Sequence, residues 1–102
     1  PERRAQALQE KYATVVEVRD YSFIPNAITV HKNEEAAFYT LDPRVYEISM
    51  KGRKLFTIQG AGSESRITSS TFIFSHRGTF AFEVSSSDNP SQRAILTINV
   101  DP

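Results

Sequence analysis

The chain contains no cysteine, and this absence excludes a disulfide, a thiolate nucleophile and any metal site built on cysteine. A chain without cysteine fits a reducing compartment. It also contains no Asn-x-Ser/Thr glycosylation sequence, since Asn89 is followed by Pro90. We therefore expect an intracellular domain, either in the cytoplasm or associated with the cytoskeleton.

Long apolar runs and an excess of charge are also missing. No apolar segment approaches the roughly 18 residues of a membrane-spanning helix. The 12 Lys and Arg balance the 12 Asp and Glu, so we expect no nucleic-acid partner and do not favour a membrane partner. A hydrophobic content of 39% argues against a disordered chain. A chain of 102 residues suits one domain that buries its own core.

Residues 1–13 are predicted to form the only helix, because PERRAQALQEKY is rich in strong helix formers. Ala5, Leu8, Tyr12 and Val15 follow the 3-4-3 spacing of a coiled-coil seam. Three interpretations stay open: a short helix packed across the end of a barrel, the last turns of an upstream coiled coil, or a disordered segment. In each case we expect the chain to be an excised domain of a longer protein.

Residues 14–102 are predicted to form a single β domain. Short segments with alternating apolar and polar residues follow one another, separated by turn residues. The fold class expected is all-β, a Greek-key β-sandwich or barrel of about eight strands with a short N-terminal helix. The predicted strands are residues 14–18, 27–32, 36–41, 45–50, 54–58, 65–74, 78–84 and 94–100.

Four of these segments carry a resemblance to a known family. Residues 16–30 combine a strand with Phe23-Ile24-Pro25 and the alternating Ile28 and Val30, and a Lys32-Asn33-Glu34 turn follows. Residues 37–40 and 70–82 then supply three aromatic-rich strands. In this order the segments resemble those of the cupredoxins, the blue-copper β-sandwich proteins of the plastocyanin and azurin type. Asn33 stands where that family usually has glycine, and Asn tolerates a positive φ better than most residues.

The resemblance implies a copper site made by two His, one Cys and an axial Met. At the matching positions this chain has Tyr46 for the first His, Val84 for the Cys, Ser87 for the second His and Pro90 for the Met. Because the chain has no cysteine, no change of alignment restores the thiolate. We predict a copper-free domain with no metal, cofactor or catalytic residue. We also predict that the former pocket near Tyr46, Val84 and Ser87 is apolar and filled.

Other candidate sites have weaker signals. His31 and Glu34 lie at a strand end without the spacing of a helical zinc site, and His76 lies in a predicted exposed turn. Residues 60–63 read Gly-Ala-Gly-Ser but lack the remainder of a phosphate-binding signature. We interpret these residues as solvated or structural.

Six residues are predicted to contact a partner. Arg44, Lys51, Arg53 and Lys54 form a basic segment, which is either a solvated hairpin or a surface for an acidic protein. Leu8 and Tyr12 lie on the predicted helix seam and could support self-association.

The function predicted from the sequence is that of a non-enzymatic, copper-free cupredoxin-like module, used for protein–protein interaction or as a structural scaffold within a larger protein. One alternative is a membrane-surface module of C2-like topology. A second alternative, a metal or redox protein, requires ligands that the chain lacks.

Overall fold

The computed structural model describes residue 7, residues 10–60 and residues 69–101. Nine strands are assigned to these residues. They are β1 (Thr14–Arg19), β2 (Ser22–Ile24), β3 (Ala27–His31), β4 (Glu34–Thr40), β5 (Val45–Met50), β6 (Arg53–Gln59), β7 (Ser70–Phe74), β8 (Gly78–Ser85) and β9 (Ala94–Asp101). The helix predicted over residues 1–13 falls largely outside this description and stays a prediction; of its residues, Ala7, Glu10 and Lys11 are described as helical. Within the described ranges, no helix is long and apolar enough to cross a membrane.

The strands form two sheets packed face to face. One sheet has four strands in the order β2-β1-β4-β7, and the other has five in the order β3-β9-β8-β5-β6. The pairs β1–β4 and β3–β9 are parallel, and the remaining paired strands are antiparallel. The predicted all-β sandwich is therefore confirmed.

The ninth strand, β2, is not among the strands predicted from the sequence. It has only three residues, which is too short to show an alternating pattern, but Phe23 points into the core between exposed Ser22 and Ile24. The segment forms a strand because it pairs antiparallel with the end of β1. Strand β7 begins at Ser70 rather than at residue 65, and residues 61–68 lie outside the described part of the chain.

The core between the sheets is built largely from aromatic side chains. The Phe82 ring on β8 lies 5.3 Å from Phe72, 5.7 Å from Phe74 and 5.9 Å from Phe38, measured between ring centroids. Burial of each such side chain stabilises the fold by about 1.5–3 kcal/mol. The buried side chains that alternate with more exposed ones along β8 therefore hold the two sheets together.

The sandwich has two ends with different loops. At the upper end lie residues 20–21, the 41–44 loop and the 86–93 loop. At the lower end lie the 32–33, 51–52 and 75–77 turns. Backbone hydrogen bonds join the lower turns, since the Lys32 N–H donates to the Asp101 carbonyl at 2.7 Å and the Asn33 N–H to the Phe74 carbonyl at 2.6 Å. Asn33 has a φ of 71°, which confirms the positive φ expected there.

Gly60 marks a close approach between the end of β6 and the 41–44 loop. A Cβ at this position would contact the Asp42 carbonyl oxygen and would lie 2.7 Å from Leu41 C and 2.8 Å from Thr40 O. All three are backbone atoms, so the loop itself would have to move.

We predict that Gly60→Ala lowers the free energy of unfolding by about 1–3 kcal/mol, as overpacking does. Urea denaturation followed by circular dichroism measures the change. Gly52→Asn is the matched control, because Gly52 has open space around it and a φ of 77° that Asn tolerates. Equal stability of the two variants would contradict the close approach at Gly60.

Candidate functional site at the upper end of the sandwich

The four positions that match the copper ligands all lie toward the upper end. Tyr46 on β5 and Val84 on β8 are fully buried and face the core. Ser87 and Pro90 are exposed in the 86–93 loop. The pairing of β5 with β8, which places Ile48 opposite Val84, brings the two strands together.

The Tyr46 hydroxyl is fully hydrogen bonded. It donates to Asp42 Oδ2 at 2.6 Å, and it accepts from the Tyr21 N–H and from an Arg44 guanidinium nitrogen, both at 3.2 Å. One donor and two acceptor positions are the whole capacity of a phenol. The prediction of a filled pocket is confirmed because the Tyr46 side chain is buried here, but the prediction of an apolar one is wrong. A buried phenol requires polar partners, and the loops supply them.

Arg44 lies between two tyrosines and a carboxylate. Its guanidinium carbon is 4.6 Å from the Tyr21 ring centroid and 6.0 Å from that of Tyr46, within cation–π range. Its Nε atom is buried and makes no hydrogen bond, although Asp88 Oδ2 is 3.3 Å away. The Tyr21 hydroxyl donates to Asp88 Oδ1 at 3.1 Å. We call Tyr21, Asp42, Arg44, Tyr46 and Asp88 the tyrosine–arginine cluster.

The backbone around the cluster is fixed by further hydrogen bonds. Asp20 and Tyr21 both have positive φ, and the Asp20 N–H donates to Asp42 Oδ2 at 2.8 Å. The Thr40 hydroxyl donates to the Val18 carbonyl and accepts from the Asp42 N–H, while the Ser86 hydroxyl donates to the Val45 carbonyl at 2.7 Å. Together with the cluster, these bonds connect all three loops of the upper end.

The environment of the cluster changes the acidity of its members. Burial, followed by the hydrogen bond to Asp42, raises the pKa of Tyr46 to about 12. The hydrogen bond to Tyr46 is the main cause that raises the pKa of Arg44. Burial and the hydrogen bond to Asp88 raise the pKa of Tyr21. The two phenols are therefore neutral near pH 7, and Arg44 is a cation.

These residues do not fit a copper ion. Blue-copper coordination requires two imidazoles and a thiolate. Tyr46 is a neutral phenol that is already fully hydrogen bonded, Val84 has no donor atom, and the Arg44 cation contacts the Tyr46 oxygen. Among residue 7 and the ranges 10–60 and 69–101, no three His, Cys, Asp or Glu are grouped as metal ligands would be. His31 and His76 are at the lower end, and His31 Nδ1 lies 2.6 Å from Asp101 Oδ1.

The predicted partner-contacting residues are divided between several places. Arg44 belongs to the cluster, whereas Lys51 and Arg53 lie at the lower end, about 20 Å away along β5. Lys54 is 3.8 Å from Glu47 on the neighbouring strand. The expected continuous basic segment is thus two separate surfaces, because an extended strand separates Arg44 from the others.

The two helix positions stay predictions. Leu8 is outside the described residues. Tyr12 is half-buried, with Lys11 Nζ 5.4 Å from its ring centroid.

Sequence reasoning missed Tyr21, Asp42 and Asp88 as site residues. They lie 25, 4 and 42 positions from Tyr46 in the sequence, and no fixed spacing joins them. The one local signal is Asp42-Pro43-Arg44, which places opposite charges on either side of a turn directly before the strand that carries Tyr46. That signal indicates a charged turn, but not its contacts with Tyr21 and Asp88.

Comparison with known proteins shows the fold. No family model and no curated protein matches the chain. Among solved structures, amicyanin from Paracoccus versutus matches with a TM-score of 0.64 at 12% identity, over 86% of this chain and 80% of that one. An oxidised amicyanin variant matches with a TM-score of 0.65 over 87% and 82%, also at 12% identity. A reduced Cu(I) amicyanin variant matches with a TM-score of 0.64 over 86% and 81%. The fold is cupredoxin-like, as the sequence resemblance implied.

The raised pKa of Tyr46 gives stability a specific pH dependence. The folded-state pKa of about 12 lies above the ordinary value of 10.0, so the unfolded chain loses this proton first. The contribution is complete below about pH 10 and is lost as the pH rises toward about 12. We predict that Tyr46→Phe lowers the free energy of unfolding at neutral pH by about 1–3 kcal/mol, since Asp42 and Arg44 lose a partner.

Urea denaturation at a series of pH values between neutral and about 11.5 tests this titration. Tyr46→Phe should show a smaller decline in stability above about pH 10 than the wild type. Tyr12→Phe, in a half-buried tyrosine outside the cluster, should keep the wild-type decline. An identical decline in the wild type and Tyr46→Phe would show that Tyr46 is not the responsible group.

Proposed function

We propose that the domain is a non-catalytic, copper-free cupredoxin-like module that serves protein–protein interaction or the structure of a larger protein. One observation carries the proposal. At the four positions that match copper ligands, the chain has a hydrogen-bonded phenol, an aliphatic side chain and two exposed loop residues, Ser87 and Pro90. The cupredoxin-like sandwich is retained without donors suited to the copper chemistry that the resemblance implies.

In this proposal the tyrosine–arginine cluster has a structural role. It connects the loop that contains Tyr21, the 41–44 loop and the 86–93 loop without a metal ion. A domain with connected loops presents fixed surfaces at low conformational cost, which favours passive recognition of a partner. The domain then needs no catalytic residue of its own.

The rival function is copper-dependent electron transfer, and a copper titration separates the two. Metal-stripped protein is titrated with Cu(II), and with Cu(I) under anaerobic conditions, while visible absorbance and the melting temperature are recorded. We predict no saturable, intense visible band and no rise in melting temperature with copper, because a ligand that binds the native state would stabilise it.

The His31→Gln variant detects copper that binds adventitiously at a surface histidine, since His31 is exposed beside Asp101. Weak binding that this variant abolishes leaves the proposal intact. A one-to-one copper complex with an intense visible band in both proteins would overturn it.

A further inference from the structure

The lower end of the sandwich combines an apolar cavity with several exposed cations. The cavity has a volume of about 90 Å³ and lies between the end of β5 and the facing parts of β7 and β8. Its lining is mainly apolar and is formed by Met50, Phe72, Ile73, Phe74, Phe80 and Phe82. Met50, Phe72 and Phe80 are only half-buried, so they form the accessible part of the wall.

The size of the cavity limits what can enter it. An apolar cavity of about 150 Å³ takes up benzene. The present cavity is smaller, so it admits one aliphatic side chain or a molecule of similar size. His76 and Ser75 at the rim are exposed polar residues. This arrangement, an apolar pocket with a polar rim, is that of a site for a single anchoring side chain.

A shallow groove continues from the cavity across the outer face of β8 and β9. Met50 and Phe80 line both the cavity and the groove, which makes the two continuous. Lys51, Thr79 and Thr97 line the groove further along, and so does Glu83, whose carboxylate pairs with Arg93 at 2.8 Å. An extended peptide whose apolar side chain entered the cavity could therefore continue along the groove, past Lys51.

The charges of the three lower turns are mostly positive. Lys32, Lys51, Arg53 and Arg77 lie there and are exposed. In the part of the chain that the structure describes, none of these four forms an ion pair with a carboxylate.

Two of the acids at this end already have partners. Asp101 pairs with His31 at 2.6 Å, and the Glu34 carboxylate accepts from the Thr14 hydroxyl and the His31 N–H. The neutral formal charge of the whole chain therefore hides a local positive surface.

We propose that the lower end binds an acidic peptide segment of a partner protein, with one apolar side chain of the peptide in the cavity and its carboxylates against Lys51, Arg53 and their neighbours. The proposal rests on the proposed function as a protein-interaction module and names its surface and the chemistry of its partner. Charge complementarity selects the acidic partner, and the cavity selects the apolar anchor.

A peptide fits this surface better than an anionic membrane does. Membrane insertion requires protruding apolar side chains, but the described turns at this end carry polar, charged or glycine residues at their tips, and the apolar side chains of Met50, Phe72 and Phe80 in the cavity wall are half-buried. The large exposed apolar residues Ile24, Val45, Ile73 and Ile95 lie on strands rather than at these turn tips.

Fluorescence anisotropy with the full chain tests the proposal. The probe is a labelled short peptide of Glu and Ser with one central Leu. Two matched peptides replace the Leu by Ser, or every Glu by Lys. We expect binding of the acidic Leu peptide that weakens with added salt, a loss of about tenfold for the Ser peptide, and no binding of the Lys peptide.

Variants of the protein locate the site. Lys51→Glu should weaken binding of the acidic Leu peptide about threefold to tenfold, whereas Arg19→Glu, a matched charge reversal on β1 outside the lower turns, should change it less than about twofold. Met50→Trp should fill the cavity and remove the difference between the Leu and Ser peptides. If this variant fails to fold, the Leu and Ser peptides still test the cavity on the wild-type protein.

Other outcomes would overturn the proposal. Failure of the acidic Leu peptide to bind, or binding that does not depend on Lys51, would exclude this site. Co-sedimentation with phosphatidylserine vesicles in the absence of peptide binding would assign the surface to a membrane. A concentration-dependent mass by light scattering that Lys51→Glu abolishes would assign it to a second copy of the chain.

The copper titration tests the proposed function separately from this surface. A negative titration would leave the copper-free, non-catalytic role standing in each of these cases. An intense copper band would remove that role, whatever the peptide result.

Discussion

The upper end of the structure depends on one buried phenol. A tyrosine hydroxyl inside a protein core is costly unless each of its hydrogen-bonding positions is used. Tyr46 meets this condition through Asp42, Arg44 and the backbone of Tyr21, and each of these partners lies in a loop rather than in a strand. The requirement of one side chain therefore constrains two loops, the turn at residues 20–21 and the 41–44 loop.

The contributions within the cluster are unequal. The contact between Arg44 and Asp88 is partly exposed, with 26% and 48% of the two side chains accessible, so solvent screens it and its net value is small. The hydrogen bonds to the Tyr46 oxygen are partly buried and end on a fully buried side chain, so solvent screens them less and they contribute more. In the resemblance that the sequence suggested, a metal ion connects this end of the sandwich. Here neutral and charged hydrogen bonds connect it. The opposite end differs, since it has an apolar cavity and exposed cations that form no ion pair with any residue the structure describes.

The sequence predicted the repeating parts of this structure and not the contacts between its loops. Alternation along segments such as residues 94–100 is a local property, and eight strands followed from it. Asn33 was also predictable, because its backbone requirement belongs to a single turn. Strand β2 was too short to show a pattern. The meeting of Tyr21, Asp42 and Asp88 depends on how the loops pack after the sheets form, which no local spacing encodes. The same reason explains why Arg44 and Lys51 looked like neighbours in sequence but lie at opposite ends of β5.

The most direct test of the cluster is hydrogen exchange of the Tyr21 amide, measured by NMR in the presence of EDTA. This N–H donates to the Tyr46 hydroxyl, and its exchange reports whether the upper loops are held without a metal. The account predicts slow exchange in the wild type with EDTA and fast exchange in Tyr46→Phe, with the Phe82 amide in the core protected in both. Fast exchange of the Tyr21 amide in the wild type, slowed by the addition of copper, would contradict it.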